Sequence, residues 1–300
     1  MNDVVWVAIA GFLASIVDGA LGMGFGPTSS SILLSSGISP AAASTTVNLA
    51  KVFTGLAAGA SHWRLRNIDR GVVLRLAIPG ALGAIIGTTI LSNVDGKQIR
   101  PYLAILLILV GIRILFRFSR SLPQRGDDES ETPMSEGEAF HDRGTIVAGA
   151  AGGVTNGLIG AWGPVVTPYL LHRGLSPRLT VGSVNTAEVA VAVVASGSLF
   201  ASGTDGLRWT IIAAMLIGGV IAAPLAAYVV RFFPPRLMGL AVAGLLLLTQ
   251  ARELATTKDF PGSRWMAYVG IPALVIAAAW RPRIERRLRR RRRARAAASS

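Results

Sequence analysis

Two residues of opposite charge, Lys51 and Glu188, lie within long apolar stretches of this sequence. Polar residues precede both at helical spacing: Thr45 and Asn48 stand six and three residues before Lys51, and Asn185 stands three residues before Glu188. Ionisable groups in a membrane segment are costly to bury and are functional by default. The chemistry that these residues indicate is the binding of a small charged solute whose charge they compensate.

Three roles are open for Lys51 and Glu188. In the first, Lys51 neutralises a bound anion while Glu188 carries a coupling proton. In the second, the two side chains form a structural ion pair across a pseudo-two-fold axis. In the third, Lys51 extends its ammonium group to one face of the membrane.

An internal repeat places Lys51 and Glu188 at equivalent positions. Residues 26–48 recur at 163–185 with a constant spacing of 137 and nine identities in 23 positions. Just upstream, Asp18-Gly19-x-x-Gly22 is echoed by Asn156-Gly157-x-x-Gly160. In an apolar chain, two copies of a glycine-interrupted segment are typical of a transporter whose broken helices meet at a site.

Glycine clusters interrupt both copies of the repeat. Glycine and proline are both poor helix formers, so each cluster predicts a bend, and Pro27 and Pro164 are expected to open short return helices. A helix start inside a membrane offers unpaired N–H groups and a partial positive charge, which suit an anion. The alternative is close helix packing through small residues. The predicted substrate-binding residues are Gly22, Gly24, Gly26, Pro27, Thr45, Asn48, Lys51, Gly160, Gly163, Pro164 and Asn185.

Two further residues beside the bends have open roles. Asp18 is a second candidate for the coupling carboxylate beside Glu188, although an aspartate before glycine is at least as often a cap or turn residue. Trp162 either walls the cavity or serves packing alone.

Composition fixes the protein class. The chain is 51% hydrophobic and 15% charged, with a mean hydropathy of +0.52, which is typical of a polytopic membrane protein. The sequence has no cysteine, no metal-binding histidine pair and no phosphate-binding or nucleophile motif, so we expect no cofactor, no metal and no enzyme activity.

Ten arginines between 281 and 295 dominate the net charge of +14. They predict a tail at anionic lipid and not a nucleic-acid partner.

The apolar pattern predicts an all-α fold of two repeats with broken helical hairpins, followed by one extra C-terminal transmembrane helix. The predicted segments are Val4–Leu21, Pro27–Ser36, Ala41–Ala60, Val72–Leu91, Pro101–Phe118, Thr145–Ala161, Pro164–Leu171, Thr180–Phe200, Trp209–Val230, Arg236–Gln250 and Trp265–Trp280. They divide the chain into a first repeat (1–118), an acidic cytoplasmic linker (119–143), a second repeat (144–251), an extra transmembrane segment (252–280) and a basic cytoplasmic tail (281–300).

The distribution of basic residues predicts the topology, because positive charge near segment ends marks the cytoplasmic side. Arg64, Arg66, Arg70 and the arginine tail place the N-terminus outside and the C-terminus in the cytoplasm. Each repeat then has a hairpin that returns to its own side, followed by three crossings. An odd number of crossings inverts the second repeat relative to the first.

The doubled motif resembles the sulfite exporter TauE/SafE family of bacterial membrane proteins. The resemblance rests on Gly19–Pro27, on Leu33-Leu34-x-x-Gly37-x-Ser39-Pro40, on the polar stretch Thr45–Asn48 and on the second copy at 157–185, and it covers about residues 5–250. It implies an inner-membrane permease, with export favoured, for small sulfur-containing anions such as sulfite or organosulfonates. From this resemblance together with the residues discussed above, the expected partners are a small anion, membrane lipid and a coupling proton, and the oligomeric state stays open. The alternative function is a non-transporting membrane sensor or assembly partner.

Overall fold

A computed structural model describes residues 2–21, 23–119, 143–203, 209–229, 235–257 and 269–278. Within these ranges the secondary structure is entirely helical, as predicted. Outside the described residues lie Gly22, nearly all of the acidic linker, residues 258–268 and 279–280 of the extra segment, and the arginine tail. The helices are α1 (Asn2–Leu21), α2 (Phe25–Ser35), α3 (Pro40–Arg64), α4 (Arg70–Asn93), α5 (Gly96–Ser119), α6 (Gly144–Ile159), α7 (Gly163–His172), α8 (Pro177–Ala201), α9 (Trp209–Val229), α10 (Pro235–Thr257) and α11 (Val269–Ala278).

Most of the predicted helix bounds agree with these to within four residues. The predicted end of α10 at Gln250 was wrong by seven residues, because the helix continues to Thr257. The prediction for α5 was wrong by five residues, because the Asp95 carboxylate accepts a hydrogen bond from the Lys97 N–H (2.8 Å) and starts the helix before Pro101. α2 begins two residues before Pro27. Proline is still tolerated there, because the N–H groups of a first turn have no partner within the helix.

Three described helices are long and apolar enough to cross a membrane: Arg70–Asn93, Gly96–Ser119 and Leu179–Ala201. The surface of α4 shows the lipid-facing side of such a helix. Leu74, Ile78 and Leu82 are each about 60% exposed at steps of four residues, while Gly80 and Gly87 face the protein. This exposed apolar stripe fits lipid better than water.

Equivalent helices of the two repeats pack antiparallel to each other. Along α3 and α8, Lys51 faces Glu188 and Gly59 faces Thr186. Along α5 and α10, Arg100 pairs with Glu253 (3.3 Å) and Gly111 packs on Leu246. In both pairs, residue numbers rise along one helix and fall along the other.

Two other helix pairs run parallel and approach closely through glycine. A Cβ at Gly153 on α6 would overlap the backbone of Gly80 on α4, and one at Gly87 would overlap Val154. In the same way, Gly11 on α1 lies against the backbone of Met215 on α9. These contacts fix α1, α4, α6 and α9 around α3 and α8, which carry the predicted site residues at mid-helix.

Candidate functional site

Both short helices begin at a break in the chain. In the first repeat, Met23 and Gly24 lie between α1 and α2 among the described residues. In the second, Gly160 to Trp162 separate α6 from α7, and Gly160 has a φ of +66°, the left-handed region that favours glycine. The predicted bends are therefore observed, each just before a short return helix.

The two bends touch each other. A Cβ at Gly26 would overlap the Gly160 carbonyl oxygen and lie 3.0 Å from the Lys51 ammonium nitrogen. Glycine is required at position 26 because the backbone of one repeat lies directly on that of the other. The chain thus brings the glycine clusters of both repeats to one point.

The Lys51 ammonium holds this point together. It forms an ion pair with Glu188, and it donates hydrogen bonds to the Asn156 carboxamide oxygen (3.1 Å) and to the Gly160 carbonyl. These three acceptors use all three N–H donors of the lysine. The Lys51 side chain is 6% exposed and that of Glu188 is 19% exposed, so the pair is largely buried. The ion pair left open from the sequence is present, and Lys51 does not extend to a membrane face.

Asp18 and Asn156 have different tasks despite their equivalent positions. One carboxylate oxygen of Asp18 accepts hydrogen bonds from the N–H groups of Gly24 (2.8 Å) and Phe25 (3.1 Å), so it caps the start of α2. Asn156 instead faces the core, where its amide nitrogen donates to Asn48 (2.6 Å). At the start of α7 the N–H groups of Val165 and Val166 bond to the Trp162 carbonyl and Pro164 has no N–H, so within the described structure the Gly163 N–H has no side-chain acceptor. The dipole of α7 is therefore the one left open to an anion.

A cavity of about 60 Å³ lies at the junction of the bends. A single water molecule needs roughly 10–15 Å³ of cavity volume, so this cavity has room for a small solute. On α3 the cavity extends from Lys51 to Ala58, toward the C-terminal end of that helix. The predicted residues that line it are Asp18, Gly26, Pro27, Lys51, Gly160, Gly163, Pro164, Asn185 and Glu188.

Three predicted residues in the described structure do not line the cavity. The Thr45 hydroxyl donates to the Ala41 carbonyl (2.8 Å) on its own helix. Asn48 is fully buried and donates to the Ser44 carbonyl (3.0 Å), and the Gly24 N–H is bound to Asp18. Trp162 is also fully buried and donates its indole N–H to the Val184 carbonyl (3.2 Å), so it serves packing.

The cavity includes five residues that the sequence did not single out: Met23, Phe25, Thr54, Gly55 and Ala58. Thr54 follows Lys51 by three residues and continues the polar spacing along α3. This spacing was therefore a signal in the sequence that Thr54 belongs to the site. Gly55 and Ala58 are small residues on the same side of the helix, and small residues alone do not distinguish a cavity wall from a packing face.

The hydrogen bonds of Lys51 predict that replacing Lys51 lowers the free energy of unfolding more than replacing Glu188 does. Lys51→Met leaves three buried acceptors without a donor, and we expect a loss of roughly 3–5 kcal/mol in the free energy of unfolding. Glu188→Gln should lower the free energy of unfolding by less, because Lys51 keeps its hydrogen bonds to Asn156 and Gly160. Denaturant unfolding in detergent measures both variants and their double mutant. Glu253→Gln, in the more exposed pair with Arg100, is the control and should cost about 0–1 kcal/mol. Equally small losses for both variants would contradict the described network.

Comparison with known proteins identifies the family of this chain. A profile of the sulfite exporter TauE/SafE family matches residues 7–252. The chain is 39% identical over 286 residues to "Probable membrane transporter protein YtnM" of Bacillus subtilis (strain 168), covering 93% of this chain and 89% of that protein. No solved structure matches the chain significantly. With its apolar helices the protein is a multi-pass membrane protein, and it belongs to the sulfite exporter TauE/SafE family.

Proposed function

We propose that this protein is a secondary transporter that moves small anions across the cell inner membrane by alternating access. Sulfite or organosulfur anions are the proposed substrate class, and export is the proposed direction, both on the strength of the family. The observation that carries the proposal is the cavity where the two bends meet, lined by Lys51 and by the uncapped start of α7. Irregular backbone at membrane depth is tolerated where it lines such a cavity.

The antiparallel packing of equivalent helices supports an inverted relation between the repeats. α3 and α8 hold the same place in their repeats yet run in opposite directions, as do α5 and α10. The parallel contacts of α4 with α6 and of α1 with α9 fit the same relation, because an inverted second repeat starts in the direction of α4. Repeats of this kind support alternating access by exchanging their conformations.

The two repeats differ in what they expose to the cavity, which supports a transporter open to one side. Thr54, Gly55 and Ala58 of α3 line the cavity. Their equivalents on α8 are Val191, Ala192 and Ala195, and all three are fully buried. Exchange of the two conformations would uncover the α8 residues and bury those of α3. With the N-terminus outside, the present opening faces the cytoplasm.

The proposed anion site combines three groups of the cavity lining. The N–H groups at the start of α7 provide a partial positive charge. Asn185 lines the cavity, and within the described part of the chain its carboxamide has no hydrogen-bond partner. Lys51 supplies the full positive charge. Asn185 thus differs from its repeat equivalent Asn48, whose carboxamide is committed to the core.

Transport by purified protein in liposomes tests the proposed function. We expect flux of at least one anion among sulfite, sulfoacetate and methanesulfonate. Lys51→Ala or Glu188→Ala should abolish that flux while the variant still inserts into the membrane, because both side chains line the cavity. Glu253→Ala removes an ion-pair carboxylate outside the cavity and should retain flux. Absence of flux for every anion from folded protein, or normal flux in either cavity variant, would contradict the proposal.

Cysteine labelling tests the inverted topology, because the sequence has no cysteine of its own. Ser35→Cys and His172→Cys introduce one thiol each at equivalent, exposed ends of α2 and α7. A membrane-impermeant maleimide added to intact cells should label the Ser35→Cys variant and not the His172→Cys variant. Both should react after solubilisation in detergent. Labelling of both variants from one side of the intact membrane would contradict an inverted arrangement.

A further inference from the structure

The cavity carries a net negative formal charge, which is unfavourable for an anion. Among the described residues that line it, the charged side chains are the carboxylates of Asp18 and Glu188 and the ammonium of Lys51. A bound anion adds a second uncompensated negative charge at a site where charges are poorly solvated and interact strongly. Anion binding therefore requires that a positive charge enter with the anion.

Lys51 is the one cationic group in the described cavity lining, and its donors are fully used. An anion reaches the ammonium only by displacing an acceptor. The Gly160 carbonyl is backbone held in the α6–α7 bend, and Asn156 is held by its hydrogen bond to Asn48. Glu188 is the partly exposed acceptor, on a side chain that can turn away. The anion and the Glu188 carboxylate are thus competitors for the same ammonium.

The Asp18 carboxylate is already bound at the start of α2. One of its oxygens accepts two backbone hydrogen bonds there, whereas the described partner of Glu188 is Lys51. The charged groups that face Glu188 are Lys51 on α3 and Asp18 on α1. The described residues of α2, α6 and α7 contribute no titratable side chain to the cavity lining. Glu188 is the carboxylate that loses its partner when the anion binds.

We infer that anion binding transfers Lys51 from Glu188 to the anion and that Glu188 takes up one proton in the same step. This inference rests on the proposed transport function. The proton comes from water in the open cavity and binds a carboxylate oxygen of Glu188. Lys51 then compensates the anion, and the net charge of the cavity with a bound monoanion equals that of the empty cavity. Anion and proton consequently move in the same direction, so an outward anion gradient carries protons outward.

Linked binding measurements on the full-length protein in detergent test this inference. The probe is methanesulfonate, a monoanion that stays ionised near neutral pH, with sulfoacetate as a second probe. We expect the apparent Kd of the wild type to rise about tenfold per pH unit and about one proton to be taken up per anion bound. Glu188→Gln should bind the anion with a Kd independent of pH and with no proton uptake. Glu253→Gln should behave as the wild type.

Several outcomes separate this inference from the proposed function. A wild-type Kd independent of pH, binding that requires Na⁺ in place of a proton, or undiminished proton uptake in Glu188→Gln overturns the inference, while anion flux in liposomes still supports transport. Absence of both binding and flux overturns the inference and the transport function together. If Glu188→Gln does not fold, the pH dependence and proton uptake of the wild type decide alone.

Discussion

The constraint on which this structure depends is the solvation of one ammonium group in an apolar protein. Lys51 lies midway along α3, far from either end of the helix, and burial without partners would cost several kcal/mol. Three acceptors meet it there: Glu188 from α8, Asn156 from α6 and the Gly160 carbonyl from the bend. The lysine therefore joins both repeats at the point where their backbones are irregular. Any movement that releases it must provide another partner.

The glycines allow this junction to form. The two bends can touch because Gly26 has no Cβ to strike the Gly160 carbonyl, and α4 and α6 approach closely through Gly80 and Gly153. These close parallel contacts leave α3 and α8 to cross at the centre, where they bring Lys51 to Glu188. Packing through small residues and an anion site were alternative interpretations of the glycine clusters. The structure shows the close packing, and the same close approach of the helices encloses the cavity that we propose as the anion site.

The sequence predicted the helices and both bends, because hydrophobic periodicity and glycine clusters are local signals. The repeat placed Lys51 and Glu188 at equivalent positions and left their ion pair as one of three open roles. The sequence did not distinguish the polar residues of α3 that line the cavity from those that do not. Thr45, Asn48 and Lys51 stand at steps of three, and each step turns an α-helix by about 300°, so Thr45 lies about 120° around the helix from Lys51. Nor could the repeat distinguish Asp18, which caps α2, from Asn156, which binds Lys51. Those roles depend on tertiary contacts that two equivalent positions do not share.

The central claim is that Lys51 changes partners when an anion binds, so a structure determined with a bound anion tests it most directly. In a complex with a transported sulfonate, the account predicts an oxyanion beside the start of α7 and Asn185, within hydrogen-bond distance of Lys51. Glu188 should have moved away from the ammonium. An anion bound elsewhere, or one bound in this cavity while Lys51 and Glu188 remain paired, would contradict the account.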